Sequence, residues 1–555
     1  MPLNISPTQR TARFLIAALG SLGVTSGEAI AQITPDNTLG EGRSQVTPNV
    51  MIREEIGDLI EGGITQSSAL FHSFESFNID ADQRVYFANP EGIRAIFSRV
   101  TGNDVSDIFG TLGVDGSANL FLANPNGIVF GEGAALDIRG SFFATTADAF
   151  VFEDGSQFSA VNPTLPPPLL SLDITPGLQY GPNPGPIDVE RRVTLNAGRD
   201  LRLSAGSITS GGALTAEFGR LTLEAVTGNI ELSGIGLGSA IAERDNGLVI
   251  ADKDLTLSAA NQVRVVGSIL LSENEVLVEA GEVIDFRFSQ VHSGRDMTFR
   301  APIRRFGGPA NGRTYHTTFN TYATGGYFIT QEADGTVVDF IIPHENVILA
   351  AGDVQIDANY VGPSLYILAG GNVTLGDAVD TIEINRFNSN PITRNQIVRQ
   401  IGDGNGGIQP VTIRSGFQAI LDVRAGIDWN TIPAIAPNNT NTSDAIVTFG
   451  ANGNPFNITD STINFENANI QFTHRVPGIP FGIFNTESFA HLTNQYQANN
   501  RLDGDIRINS IQEMASVQLP VSIAVESSRA IFVNNIINVS PENVSSDNLL
   551  PFPFG

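Results

Sequence analysis

Leu255-Thr256-Leu257-Ser258-Ala259-Ala260 leads into Val263-Arg264-Val265, and the same form returns along the chain. Val193-Thr194-Leu195-Asn196-Ala197-Gly198 leads into Leu201-Arg202-Leu203, and Val276-Leu277-Val278-Glu279-Ala280-Gly281 repeats the first half. Val347-Ile348-Leu349-Ala350-Ala351-Gly352 precedes Val354-Gln355-Ile356, and Tyr366-Ile367-Leu368-Ala369-Gly370-Gly371 precedes Val373-Thr374-Leu375. Each unit reads as two very short alternating strands joined by a corner of small residues. Alternation puts every second side chain on one face. Strands this short cannot bury that face alone, so they must stack on copies of themselves. The expectation is an all-β solenoid, a parallel β-helix. A sandwich or a propeller would show longer strands and regularly spaced hairpins. Ile52 to Ile64 has a weak helical pattern, but Gly57, Gly62 and Gly63 make strand-and-turn an equal reading.

The composition agrees. Only 16% of the 555 residues are charged, against about 25% in an ordinary globular chain. Fifty-seven glycines and many small polar residues take their place, as tight corners require. Hydrophobic residues make up 41%, enough for a real core. Asp and Glu number 58 against 31 Lys and Arg, a net charge of −27. That argues against nucleic-acid and anionic-membrane partners. There is no cysteine, which excludes disulfides, thiolate catalysis and cysteine-ligated zinc. Lys253 is the only lysine and lies in no phosphate-binding or Schiff-base motif.

The first residues read as an export signal. Arg10 and Arg13 precede the apolar run from Phe14 to Val24, and Ala29-Ile30-Ala31 supplies a small-x-small cleavage pattern. Cleavage is expected between Ala31 and Gln32. The run is well short of the ~20 residues of a spanning helix. No later segment is apolar for longer, so no membrane insertion is expected.

Two turns downstream are built alike. Asn89-Pro90-Glu91-Gly92 is followed by Ile93, and Asn124-Pro125-Asn126-Gly127 by Ile128. Asn accepts from the backbone, Pro fixes φ and Gly closes the turn. Their offset of 35 residues fits one or two coils. Upstream, Leu70 to Asn78 is aromatic-rich, with Phe71, His72, Phe74 and Phe77.

The run from Phe71 to Asn78, the segment Arg99-Val100-Thr101-Gly102 and the stretch from Leu120 to Gly131 resemble the secretion domain of filamentous-haemagglutinin-type exoproteins. These are the secreted members of two-partner secretion systems. The first turn departs from the family form at Glu91. The later solenoid is similar to the tails of cyanobacterial members. The resemblance implies a right-handed parallel β-helix with an N-terminal cap and extra-helical hairpins or loops. It implies recognition in the periplasm by the paired periplasmic domains of an outer-membrane β-barrel transporter, passage in extended form, and folding outside. Asn89, Pro90, Gly92, Asn124, Pro125, Asn126, Gly127 and Ile128 are then the secretion motif. The protein is expected at the cell surface or outside it, as an adhesin for a surface receptor or glycan. The implied layout is a signal peptide (1–31), a secretion domain (32–165), a Pro-rich strap or linker (166–190), β-helix repeats (191–376), and an irregular continuation with a C-terminal cap (377–555). Strand edges suit addition to a partner's sheet, and each finished coil templates the next.

Plainer readings stand beside these. The turn from Asn124 to Ile128 also reads as an ordinary corner with an asparagine ladder. Phe71, Phe74 and Phe77 read first as core or cap, and His72 as hydrogen-bonded structure. His292, His316, His344, His474 and His491 form no metal-spaced pair, so no metal or cofactor is expected. A carbohydrate-active β-helix enzyme is the alternative from another class, and a structural envelope protein a third. The enzyme needs converging carboxylates. Asp80 with Asp82, Asp377 with Asp380 and Glu383, and Asp503 with Asp505 are candidates. Among 58 acidic residues such groupings arise by chance, so no catalytic residue is assigned and the chain is read as no enzyme.

Overall fold

The computed structural model describes residues 33–167, 176–234, 247–287 and 289–301, and beyond them separate strands and short pieces up to Val533. The signal segment, Asp377, Asp380, Asp503 and Asp505 lie outside the described residues.

Short strands alternate between three long sheets. Leu255–Ala259 lies in the first sheet, Gln262–Val266 in the third and Ile269–Ser272 in the second; Val276–Ala280 then returns to the first. Successive turns stack in parallel and in register. In the first sheet Leu223 faces Leu257, then Val278, then Phe299. In the third Ile208 faces Ile230, Val263 and Ile284, and in the second Leu214 faces Val249, Leu270 and Val291. All of these are buried, and they form one continuous apolar core. This is a parallel β-helix. Leu255 stacks on Val276, 21 residues on, and Ala95 on Asn119, 24 residues on. Strands near the C-terminus continue it. Ile506–Ile508 pairs with Val373–Leu375 in the first sheet, and Ile511–Glu513 with Ile382–Ile384 in the third.

The sequence units turn out to be out of phase. Those at Val193, Val347 and Tyr366 straddle the corner from second to first sheet, whereas the one at Leu255 straddles that from first to third. Both corners join alternating strands through a small residue, so they look alike in sequence.

The N-terminal end is closed by antiparallel pairing. Ile33–Pro35 pairs with Ala69–Phe77, and Ser44–Ile52 forms a hairpin with Glu55–Gly62, which settles the Ile52–Ile64 ambiguity as strand and turn. The outer strand of that hairpin carries Pro48 and a register break at Asn49, whose φ is +60°. A proline and a bulge blunt an otherwise open sheet edge.

The segment 166–190 is divided. Gly177–Gln179 is the third strand of a small antiparallel sheet outside the helix, with Ala149–Val151 and Gln157–Ser159. Pro186–Val189 is a rung strand, paired in parallel with Ile128–Phe130 and with Ser207–Ser210. The chain thus leaves the solenoid after Thr145 and rejoins it at the next rung strand, in the third sheet, so the excursion is inserted in one corner. Phe142–Thr145 stacks directly on Leu201–Ala205.

Candidate functional site

The aromatic run lies in the strand Ala69–Phe77, next to the N-terminus of the rod. Leu70, His72 and Phe74 follow strand alternation into the interior. The pairing with Ile33–Pro35 then slips, so that Phe74 and Ser76 oppose neighbouring residues. The extra residue returns Phe77 to the interior with Phe74. Phe74, Phe77 and Phe87 pack together there, with ring centroids 5.2–6.3 Å apart.

Phe71 points the other way. It begins an external stack that climbs one ring per coil: Phe71 on Phe97 (5.1 Å), Phe97 on Phe121 (4.5 Å), Phe121 on Phe143 (4.5 Å). The next residue in that register is Arg202, where the stack stops. The small outer sheet covers it with Phe150, Phe152 and Phe158, which meet the stacked rings edge-on. The sequence spacing of three thus hides two different faces.

His72 is fully buried. Its Nδ1 lies 3.1 Å from Ser44 Oγ, and Nε2 has no hydrogen-bond partner. Burial holds its pKa down at about 3, so it is neutral at physiological pH.

The two Asn-Pro turns sit at different corners. Asn89 follows the second-sheet strand Arg84–Ala88 and precedes the first sheet; Asn124 follows the first-sheet strand Asn119–Ala123 and precedes the third. The 35-residue offset is therefore not a whole number of coils. Asn89 is half-buried. Its Oδ1 accepts from Ser117 N and Ala118 N of the next coil, both at 3.0 Å, and its Nδ2 donates to Ile93 O at 3.0 Å. Gly116 is required there, because a Cβ would meet Asn89 Oδ1 at 2.1 Å. Glu91 and Gly92 are exposed at the tip.

Asn124 is fully buried and fully engaged. Its Nδ2 donates to Asp104 O (3.0 Å) and Ser106 Oγ (2.9 Å) of the preceding coil. Its Oδ1 accepts from Asn126 N (3.0 Å) and Asn126 Nδ2 (3.1 Å). Asn126 Nδ2 also donates to Gly102 O at 2.9 Å, and Gly127 N to Asn124 O at 3.1 Å. Pro125 O accepts from Gly185 N of the following coil, and Gly127 O from Ser106 N of the preceding one. One turn thus joins three coils. Gly127 has φ +129°, which favours glycine. Ile128 is buried in the core.

Sequence reasoning quoted Arg99 but gave it no role, and it overlooked Asp36. Arg99 is fully buried in Ala95–Val100. Its Nε donates to Ser73 Oγ, and its two terminal nitrogens to Ser159 O, Thr164 O and Thr38 Oγ1, all at 2.9 Å. Its guanidinium lies 4.1 Å from the Phe158 ring centroid. The Ser73 and Thr38 hydroxyls accept from Arg99 and donate to Asp36, and the Thr101 hydroxyl also donates to it, each of these three bonds to Asp36 being 2.7 Å. Burial pulls Arg99 down to about 10 against the field of Asp36, which leaves it charged. Burial works against ionisation of Asp36, but its hydrogen bonds prevail and hold it below the usual carboxylate range. The network binds the first residues of the described chain, the first sheet and the outer excursion into one unit. An arginine inside the apolar run Ile96-Phe97-Ser98-Arg99-Val100 was the available signal.

The enzyme candidates gain nothing from the geometry. Asp80 and Asp82 lie in an exposed turn rather than on a strand face, and Asp82 has φ +64°. Among the described residues no group of three His, Asp or Glu side chains could hold a metal ion, and no helix is long and apolar enough to cross a membrane.

Residues 31–285 match the family model of the TPS secretion domain. This part of the chain is similar to a TPS secretion domain. A domain of this kind is the mark of two-partner secretion substrates. A heme/hemopexin-binding protein of Haemophilus influenzae strain Rd is 39% identical over 75 residues, 14% of this chain and 8% of that protein. Another from Haemophilus influenzae is 36% identical over 75 residues, with the same shares. The chain matches less than a tenth of these relatives' length. The solved filamentous hemagglutinin secretion domain aligns at 18% identity with TM-score 0.33, over 59% of this chain and 99% of that one.

Proposed function

We propose that the N-terminal end of the TPS secretion domain is the surface read by the periplasmic domains of the partner outer-membrane transporter, and that the solenoid beyond it acts as a surface-exposed or released adhesin. The match of residues 31–285 to the TPS secretion domain carries the first half. The geometry supports a positioning role for Asn124 to Ile128, because the turn, itself mostly buried, holds three coils of that end in register. Asn89 to Gly92 contributes an exposed tip at a second corner. The adhesin half rests on the stacked architecture, whose sheets continue to Val533 and present contact area on a rod.

The test is secretion with and without the transporter. Deleting the partner transporter should abolish the protein in the medium; undiminished export overturns the reading. Asn124→Ala removes the donor to Asp104 O and Ser106 Oγ and should lower secreted protein severalfold at equal synthesis. Normal export of a variant with loosened coils would reduce the turn to scaffolding.

A further inference from the structure

We propose that Asn126–Gly127 is a spontaneous modification site, open to cyclisation and deamidation in the extended chain and closed by the folded turn. In the reaction Gly127 N loses its proton to solvent base and attacks Asn126 Cγ. A C–N bond forms, the bond from Cγ to Nδ2 breaks, and ammonia leaves. Water then opens the cyclic imide at either carbonyl and leaves aspartate or isoaspartate. The net change is one amide plus water giving one carboxylate plus ammonium, with no other reactant.

The chemistry selects this residue within the turns. Glycine has no side chain to hinder the attacking nitrogen. Asn124 and Asn89 are followed by prolines, whose nitrogens carry no hydrogen and cannot take this path. The first turn has Glu91 before its glycine, so it contains no such amide. Among the described residues Asn126–Gly127 is the only Asn–Gly pair.

The fold holds both reacting groups. Gly127 N donates to Asn124 O at 3.1 Å, and Gly127 is buried. The Asn126 amide nitrogen is tied to Gly102 O at 2.9 Å and to Asn124 Oδ1 at 3.1 Å. The same contacts make the product costly. A carboxylate at this place would set an oxygen against two acceptors, in the corner that joins three coils. A chain that lingers extended therefore loses the amide its own corner needs. This holds whether or not the transporter reads the turn.

The test is peptide-resolved mass spectrometry of the full chain, incubated at mildly alkaline pH either native or in urea. Peptide resolution matters because Asn246-Gly247, Asn311-Gly312, Asn405-Gly406 and Asn452-Gly453 also occur in the chain. In urea Asn126 should convert to aspartate and isoaspartate, and Gly127→Ala should slow that conversion. In the native protein conversion should be slower by at least about tenfold, as closed-state protection predicts. Equal rates in the two states would overturn the proposal, and so would no conversion in urea. For the product, Asn126→Asp should lower the urea midpoint; an unchanged midpoint would show that the corner tolerates the carboxylate and overturn that half. A variant too unstable to fold counts with the first outcome, while the wild-type comparison still tests the site.

Discussion

A single arginine decides how the first coils hold together. Arg99 is buried with five N–H donors on three nitrogens and meets hydroxyls, carbonyls and an aromatic face rather than a direct carboxylate partner. Its charge is balanced at one remove by Asp36 through Ser73 and Thr38. Removing one side of such an arrangement leaves the other buried and unpaired, at a cost of roughly 3–5 kcal/mol. Arg99→Met should therefore lower the urea midpoint strongly. Arg99→Lys should recover little, since an ammonium cannot span the four acceptors. An Arg99→Lys midpoint equal to wild type would contradict this network. The two buried histidines make a second, separable prediction. His72 and His292 are held near pKa 3 by burial, against the ordinary histidine value of 6.5. The unfolded chain binds those protons first as pH falls, so stability is full above pH 6.5 and declines towards pH 3. At pH 5 each histidine should cost on the order of 2 kcal/mol. Carboxylates held low, such as Asp36 and Glu224, lose their contribution only at still lower pH. Urea midpoints at pH 7.5 and 5 should differ less in His72→Gln than in wild type; an identical pH dependence would remove His72 from the account.

Between elements, the strongest feature is the external phenylalanine stack and the excursion that covers it. The ring of Phe121 lies between those of Phe97 and Phe143, each 4.5 Å away, with Phe150 edge-on at 6.0 Å. Truncating such a ring costs about 3–5 kcal/mol. Phe121→Ala should also loosen the outer sheet before the coils. Limited proteolysis between Phe152 and Pro167 should accelerate, while the strand Leu255–Ala259 keeps its amide protection. Equal cleavage rates would show that the excursion is held from elsewhere, with Arg99 and its bonds to Ser159 and Thr164 as the alternative anchor. The sequence displayed the strands and their small-residue corners clearly, because alternation and turn chemistry are local. It concealed the phase. Asn89 and Asn124 have the same local grammar at different corners, and Phe71 and Phe74 look like one stripe but face opposite ways. Which corner a turn occupies depends on the lengths of all three strands in a coil. The Phe71 face depends on what lies outside the sheet, and neither dependence is local. The excursion hid for a related reason. Its prolines announced a break, but Pro186–Val189 returns to the rung as a strand despite beginning with proline, the residue tolerated at a strand's start.

At the scale of the rod, stability is a chain of nearest-neighbour terms, and the two ends of the described region are not equivalent. From Leu201 to Arg300 each coil touches the one before and after through in-register ladders of Leu, Val and Ile, with cross-coil pairs such as Arg202–Glu224 outside. The first coils add long-range ties: the antiparallel N-terminal strands, the Asp36–Arg99 network, the Asn124 corner and the covered phenylalanine stack. These ties give the first coils support that the later coils lack. In a quasi-one-dimensional array, damage in a middle coil should spread only to adjacent coils. Leu257→Ala empties a fully buried site, facing Leu223 and Val278, at about 2–5 kcal/mol. Hydrogen exchange should then quicken in Leu221–Ala225, Leu255–Ala259 and Val276–Ala280. The strand Ala95–Val100 should keep its wild-type rates. Uniform acceleration through Ala95–Val100 would mean that the rod unfolds as one cooperative body, and the idea of an independently standing N-terminal unit would fall with it.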